Sequence, residues 1–358
     1  MHMDYSARLT RLRSLLLPLN SEAILIEHPT HLFYLTGLTL SAGKLLISQQ
    51  DACLIVDGRY YESCSSGQTL YPVSLLKDAS IKDWLADHRI QSLTFDSENT
   101  SYQAFLKLSK LAEELQPALS LIPAESPVKQ MRLIKDEEEI RCLKQAAHLG
   151  YQGYEQVINL LRQGVKEAEL AFELEFFWKK RGAQKLAFDS IIAFGVNSSM
   201  PHYRAGQTEL QSGDHVLIDI GVVYQYYHSD MTRVSYFGTP HPTIQTIYSI
   251  VEEAQQKAFD LCIPGTPIGK LDEAARSFIT SKGYGEHFTH SLGHGIGLDI
   301  HEPPTLRSQG PYANSPLQPG MVITIEPGIY LPGIGGVRLE DTILITDKGY
   351  ENLTRQRR

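Results

Sequence analysis

Between Gly164 and Gly349 the chain runs through one pattern twice, and that repetition constrains the fold more than any single motif. GVKEAELAFELEFFWKKRG (164–182) and GTPIGKLDEAARSFITSKG (265–283) are equal in length and helical in spacing. Each ends on a glycine suited to capping a helix C-terminus. LQSGDHVLIDIG then matches LQPGMVITIEPG, with Leu210 nine residues before Asp219 and Leu317 nine residues before Glu326. Each run reads as a strand with a carboxylate near its apolar end. Each is followed by a second strand carrying another acid, Asp230 in SDMTRVSYFG and Glu340 in LEDTILITDKG. A period of roughly 100 residues is too long for a solenoid of stacked repeats. A two-fold pseudo-symmetric α/β domain is the expected fold.

A chain of 358 residues has room for a second domain. Residues 1–122 are expected to form a smaller α/β domain. ILIE (24–27), KLLIS (44–48), ACLIVDG (52–58) and SLTFD (92–96) are apolar runs bounded by turn residues, hence strands, and 101–115 has helical spacing. Trp84 is expected in its core, with a lid residue as the alternative. The stretch IPAESPVKQ (122–130), with two prolines, predicts a linker over 123–131 and a second domain over 132–358. Asp136 with Glu139 three residues on predicts a capping box at the start of a long helix.

Composition narrows the function classes. Hydrophobic residues make up 42% and charged residues 21%, ordinary for a soluble protein with a sizeable core. The net charge of −8 and the lack of a long basic run argue against nucleic acid as a partner. No apolar run reaches the ~18 residues of a membrane span. The five residues LLLPL after Arg8, Arg11 and Arg13 are too few for a signal peptide. Cys53, Cys64, Cys142 and Cys262 form no C-x-x-C pair and are expected as free thiols of a cytoplasmic protein.

The acids carry the chemistry. A carboxylate inside VLIDIG or VITIEPG is costly unless paired, hydrogen-bonded or metal-bound. One such acid alone is more often an ion pair; four at matched positions of two half-domains are expected to converge on the pseudo-axis. Asp219, Asp230, Glu326 and Glu340 cannot share a dry site without cations. HSLGHGIGLDIHEPP (290–304) offers His290, His294 and His301. Glycines at 293, 295 and 297 would each cost a helix about 1 kcal/mol, so this segment is not expected to be helical. His294, flanked by glycines that let the backbone come close, is the expected nitrogen ligand. The other two histidines suit proton transfer or oxyanion stabilisation. Four carboxylates and one imidazole suit two divalent ions, and an oxygen-rich donor set favours Mn²⁺, Fe²⁺ or Co²⁺. Mn²⁺ is the first expectation, with Co²⁺ or Zn²⁺ as alternatives. His228, two residues before Asp230, could face this site, with a surface or packing role as the commoner alternative, and His215 reads as structural.

SMPHY (199–203), VLIDIG…SDMTR, HSLGHGIGLDIHE, ITIEPGIY and GGVRLED occur in the order found in the pita-bread metallopeptidases. The chain resembles their Xaa-Pro branch, aminopeptidase P and prolidase. The resemblance is strong over 132–358 and looser before it, where HLFYLTGL (31–38) and LIVDGRYYE (54–62) are similar to a creatinase-type N-terminal domain. It implies that Asp219, Asp230, His294, Glu326 and Glu340 are the five ligands of a dinuclear site, with Asp230 and Glu340 bridging. It also implies that His202, His290 and His301 are non-ligand site histidines, and that Arg338 and the proton-transferring Glu326 belong to the catalytic set. No ligand position is substituted, which sets aside metal-free creatinase. The family usually has a less bulky context than Tyr203-Arg204 after the first histidine, and this departure bears on the substrate pocket.

The first expectation is hydrolysis of the bond between an N-terminal residue and a following proline in peptides. The alternative is a prolidase restricted to dipeptides. A methionine aminopeptidase is disfavoured by the extra N-terminal domain, and a non-catalytic peptide- or protein-binding module by the intact ligand set. The resemblance further implies a homodimer or higher homo-oligomer in which the N-terminal domain limits substrate length.

Overall fold

The computed structural model describes residues 3–355 except 68 and 78. The chain divides into two compact units, Met1–Arg132 and Leu133–Arg358. The first is built on a six-stranded mixed sheet. Its order is Val73–Leu75, Ala52–Val56, Lys44–Ser48, Ala23–Ile26, Ser92–Asp96, Ser120–Ala124. Ala23–Ile26 is buried at every position, as expected of an inner strand covered on both faces. Trp84 lies in the core of this unit and stacks on His88 at 4.4 Å.

The segment expected as a linker is structured. Ser120–Ala124 pairs in parallel with Ser92–Asp96 as an edge strand, and Pro127–Arg132 is a helix with Val128 and Met131 buried. The two prolines misled because neither interrupts its element. Pro123 sits on an edge strand, where a missing N–H costs no ladder bond, and Pro127 opens a helix, where the N–H would be orphaned anyway.

The second unit opens with helix Glu137–Leu160, whose capping box forms as expected. The Glu139 N–H donates to Asp136 Oδ1 at 2.9 Å, and the Asp136 N–H donates to Glu139 Oε2 at 3.1 Å. The duplication is visible in backbone detail. Helix Glu167–Lys180 and helix Ile268–Ser281 each have 14 residues. Gly164 N–H donates to Leu210 O at 2.9 Å, and its counterpart Gly265 N–H to Leu317 O at 2.8 Å. Ala168 N–H to Gly206 O and Gly269 N–H to Ala313 O are both 2.9 Å. In the first half, His215–Ile220 pairs antiparallel with Met231–Tyr236; in the second, Val322–Ile325 pairs antiparallel with Asp341–Thr346. An antiparallel bridge from Thr232 to Glu340 joins the two halves.

Strand His215–Ile220 is buried on both faces. Val216, Ile218 and Ile220 pack in one core with Leu170, Leu174 and Trp178. Leu217 packs in the other with Val251, Leu271 and Ile323. Alternation puts Asp219 on the Leu217 face. Among the described residues, no helix is long and apolar enough to cross a membrane.

Candidate metal centre

Each candidate acid sits at or beside a strand end. Asp219 is the penultimate residue of His215–Ile220, and Glu326 directly follows Val322–Ile325. Asp230 and Glu340 each precede the first residue of their strands. With His202, His290, His294, His301 and Arg338, all four line one cavity of about 630 Å³.

Asp230, His294 and Glu340 offer ligand atoms that all lie within 4.8 Å of one another. His294 Nε2 is 3.6 Å from Asp230 Oδ2 and 3.5 Å from Glu326 Oε1. The other ring nitrogen, Nδ1, is 3.0 Å from Gly295 O. A carbonyl can only accept, so Nδ1 carries the proton and Nε2 faces the acids with a bare lone pair. The flanking glycines have a steric reason: a Cβ at 293 would strike the Thr324 carbonyl, and one at 295 the Pro303 carbonyl.

Asp219 stands apart from the trio. Its Oδ2 accepts from Arg338 Nη2, while its Oδ1 is buried without a hydrogen-bond partner. The buried Arg338 also donates from Nη1 to Tyr330 Oη at 2.6 Å and from Nε to Thr232 Oγ1 at 3.2 Å. Thr232 Oγ1 in turn donates to Glu340 Oε2 at 2.7 Å.

The electrostatics describe a site short of positive charge. Burial, then the charges of Glu340, Asp219 and Glu326, pushes the Asp230 carboxyl well above the usual carboxylate range. Glu326 rises likewise through burial and the Glu340 charge, and burial with the Asp219 charge takes Glu340 up to about 8. One guanidinium does not balance four carboxylates. The orphaned Asp219 Oδ1, the bare His294 Nε2 and three further carboxylates are the donor chemistry of hard or borderline divalent cations, so these residues fit a metal centre.

The other histidines divide. His290 has both nitrogens engaged, Nδ1–H with Ser291 O at 2.8 Å and Nε2 with Tyr330 Oη at 2.8 Å, and burial with the Arg338 charge holds it down to about 4. It therefore braces Tyr330 and, through it, Arg338. His301 lies edge-on to His294 with centroids 4.4 Å apart, and burial lowers its pKa. His202 is on the segment after Met200 and lines the cavity. His228 donates from Nδ1 to Gly297 O at 3.2 Å and is a packing residue; His215 is buried against Ser198 Oγ at 2.7 Å.

The sequence model of metallopeptidase family M24 matches residues 141–347. The chain belongs to that family. Residues 8–134 match the creatinase/prolidase N-terminal domain, so the M24 metallopeptidase has the two-domain architecture expected from its motifs. An Xaa-Pro dipeptidase of Pyrococcus horikoshii is 39% identical over 338 residues, 94% of this chain and 93% of that protein. Among solved structures, the Xaa-Pro dipeptidase from Bacillus anthracis is similar with a TM-score of 0.92 and 36% identity, covering 99% of both chains. The X-Pro aminopeptidase from Thermotoga maritima MSB8 is similar with a TM-score of 0.87 and 35% identity, covering 97% of this chain and 98% of its own.

Two residues that bond to lining residues of this M24 site escaped sequence reasoning. Tyr330, in GIYL, reads as an ordinary strand aromatic, and its hydroxyl partners lie 40 and 8 residues away. Glu167 reads as an acid in the first turn of a helix, yet its side chain is fully buried.

Proposed function

We propose that this M24 metallopeptidase is an Xaa-Pro dipeptidase. The observation that carries the reading is the cavity in which four carboxylates meet a histidine with a bare Nε2. The close relatives named Xaa-Pro dipeptidase supply the substrate class and reverse the sequence-based order, which put the aminopeptidase first. The aminopeptidase stays as the second reading because the Thermotoga maritima protein of that name is similar over nearly its whole length.

In this proposal Asp219, Asp230, His294, Glu326 and Glu340 would hold two divalent ions, Mn²⁺ before Co²⁺ or Zn²⁺ by the hardness of the donors. When bound, such ions lower the pKa of a nucleophilic water and polarise the scissile carbonyl. Glu326 would hold a proton on its carboxylate and deliver it to the proline nitrogen, which has no N–H of its own and leaves only once protonated. His301 and His202 donate hydrogen bonds to the tetrahedral oxygen. Arg338, braced by Tyr330 and His290, holds Asp219 in place. Four buried free cysteines suit the cytoplasm, and at least a homodimer is the proposed assembly, to be checked by light scattering.

Hydrolysis of Xaa-Pro dipeptides and Xaa-Pro-Xaa tripeptides, assayed with Mn²⁺, Co²⁺ and Zn²⁺ in turn, tests the reading. Preference for the dipeptide is expected. Faster cleavage of the tripeptide would restore the aminopeptidase, and no hydrolysis with any metal would sink both.

A further inference from the structure

Glu167 is the first residue of helix Glu167–Lys180 and is fully buried. Its Oε1 accepts from the Phe194 N–H at 2.8 Å and from Asn197 Nδ2 at 3.0 Å. Its Oε2 accepts from Tyr203 Oη at 2.7 Å and from the Gly206 N–H at 3.1 Å. The duplication allows a comparison with the second half. The matching helix begins with Ile268, also fully buried, and docks its loop through the same backbone bond. The second helix also holds its loop with a buried acid, but from a different position: Asp272 Oδ2 accepts from the Ser308 N–H at 2.9 Å, so the acid at the Glu167 position is particular to the first half. Glu167 adds side-chain bonds that fix Tyr203 and Gly206, on either side of Arg204.

Arg204 lines the same cavity as the acids and is exposed. It makes no hydrogen bond or ion pair with any described residue, including Asp189, the other exposed charge lining that cavity. Arg338, the second guanidinium of the cavity, is committed to Asp219, Tyr330, Thr232 and Pro201. The cavity thus presents one uncommitted guanidinium, on a loop whose conformation is fixed from beneath. A dipeptide ending in proline carries its carboxylate one residue past the scissile bond, whereas a longer peptide has a neutral amide there. A guanidinium fork matches a carboxylate in geometry and charge.

We propose that Arg204 is a specificity residue that binds the C-terminal carboxylate of the dipeptide, with Glu167 as the positioning residue of its loop. The proposal rests on the dipeptidase reading and deepens it. The test compares Ala-Pro with Ala-Pro amide, which differ only in the carboxylate, using the metal-loaded full chain. The unsubstituted enzyme is expected to prefer Ala-Pro. In Arg204→Gln the ratio of kcat/KM for acid over amide is expected to fall about tenfold, the size of one charge-assisted hydrogen bond at a partly solvated site, with the loss mainly in KM. Arg204→Lys is expected to keep part of the ratio, since it keeps the charge but not the fork. An unchanged ratio in Arg204→Gln, or an unsubstituted enzyme that hydrolyses acid and amide equally, overturns the assignment of Arg204 while leaving the dipeptidase reading in place. Hydrolysis of neither substrate overturns both.

Discussion

Replacing Arg338 with Met tests the charge balance of the centre without any assumption about which metal fills it. The guanidinium is buried and donates to Asp219, Tyr330, Thr232 and the Pro201 carbonyl. Met retains most of the apolar stem and removes the charge, so the variant isolates the head group. Removing one partner of a buried charge pair costs about 3–5 kcal/mol, because the other charge is left uncompensated. Asp219 is that other charge, and its second oxygen has no hydrogen bond to fall back on. In a domain of this size each 1 kcal/mol moves Tm by about 2–4 °C, so metal-free protein is expected to unfold about 6–20 °C lower. Calorimetry after chelation is the measurement. Arg338→Lys is expected to recover little, since one ammonium cannot reproduce a planar fork bonded to three side chains. A Met variant within about 2 °C of the parent would mean that Asp219 does not depend on the guanidinium for its charge, and the reasoning fails.

Glu340→Ala is expected to lose more than half of the bound metal together with activity; two metals per chain in an active variant, measured by elemental analysis, would refute the five-ligand assignment. His301→Ala is expected to keep its metal and lose about 10²–10³ in kcat, the effect of one oxyanion donor, and metal loss would instead make His301 a ligand. His215 gives a pH signature away from the acids. Burial holds its folded pKa down to about 4 from an ordinary 6.5, so the native state binds fewer protons between those values. The stability is therefore complete above pH 6.5 and lost as pH falls toward 4, by about 3 kcal/mol for this group. Urea unfolding of His215→Gln should show a correspondingly shallower acid loss, and parallel curves would refute this.

What could be read from the sequence is what is local or repeated. The capping box at Asp136 and the strand around Asp219 are set by neighbours a few residues away, and the duplication extended that reading to Glu326 and Glu340. The segment 123–131 was misread because proline carries opposite meanings inside an element and at its edge. The Glu167 cluster was invisible for a different reason. Its four donors lie 27 to 39 residues away, and nothing in VKEAEL distinguishes a buried acid from one that complements the helix dipole.

The duplication accounts for the acids, and departures from it account for the direction of the chemistry. Asp230 and Glu340 are matched, and the residue two before each is His228 in one half and Arg338 in the other. His228 turns to the Gly297 carbonyl, whereas Arg338 enters the acid cluster and bonds Asp219. A strictly symmetric site with two guanidiniums would bond both members of the Asp219–Glu326 pair and leave little demand for a metal ion. With one guanidinium, Asp219 keeps a single oxygen free and Glu326 stays near the bare His294 nitrogen, a donor set that fits divalent cations. The same loss of symmetry separates Glu167 from Ile268: the loop carrying His202 and Arg204 is held by Glu167 at the helix start, whereas its counterpart is held by Asp272, further along the second helix, through the Ser308 N–H. The repeated halves thus supply a place where acids converge, and the unmatched residues are where the proposed substrate contacts lie.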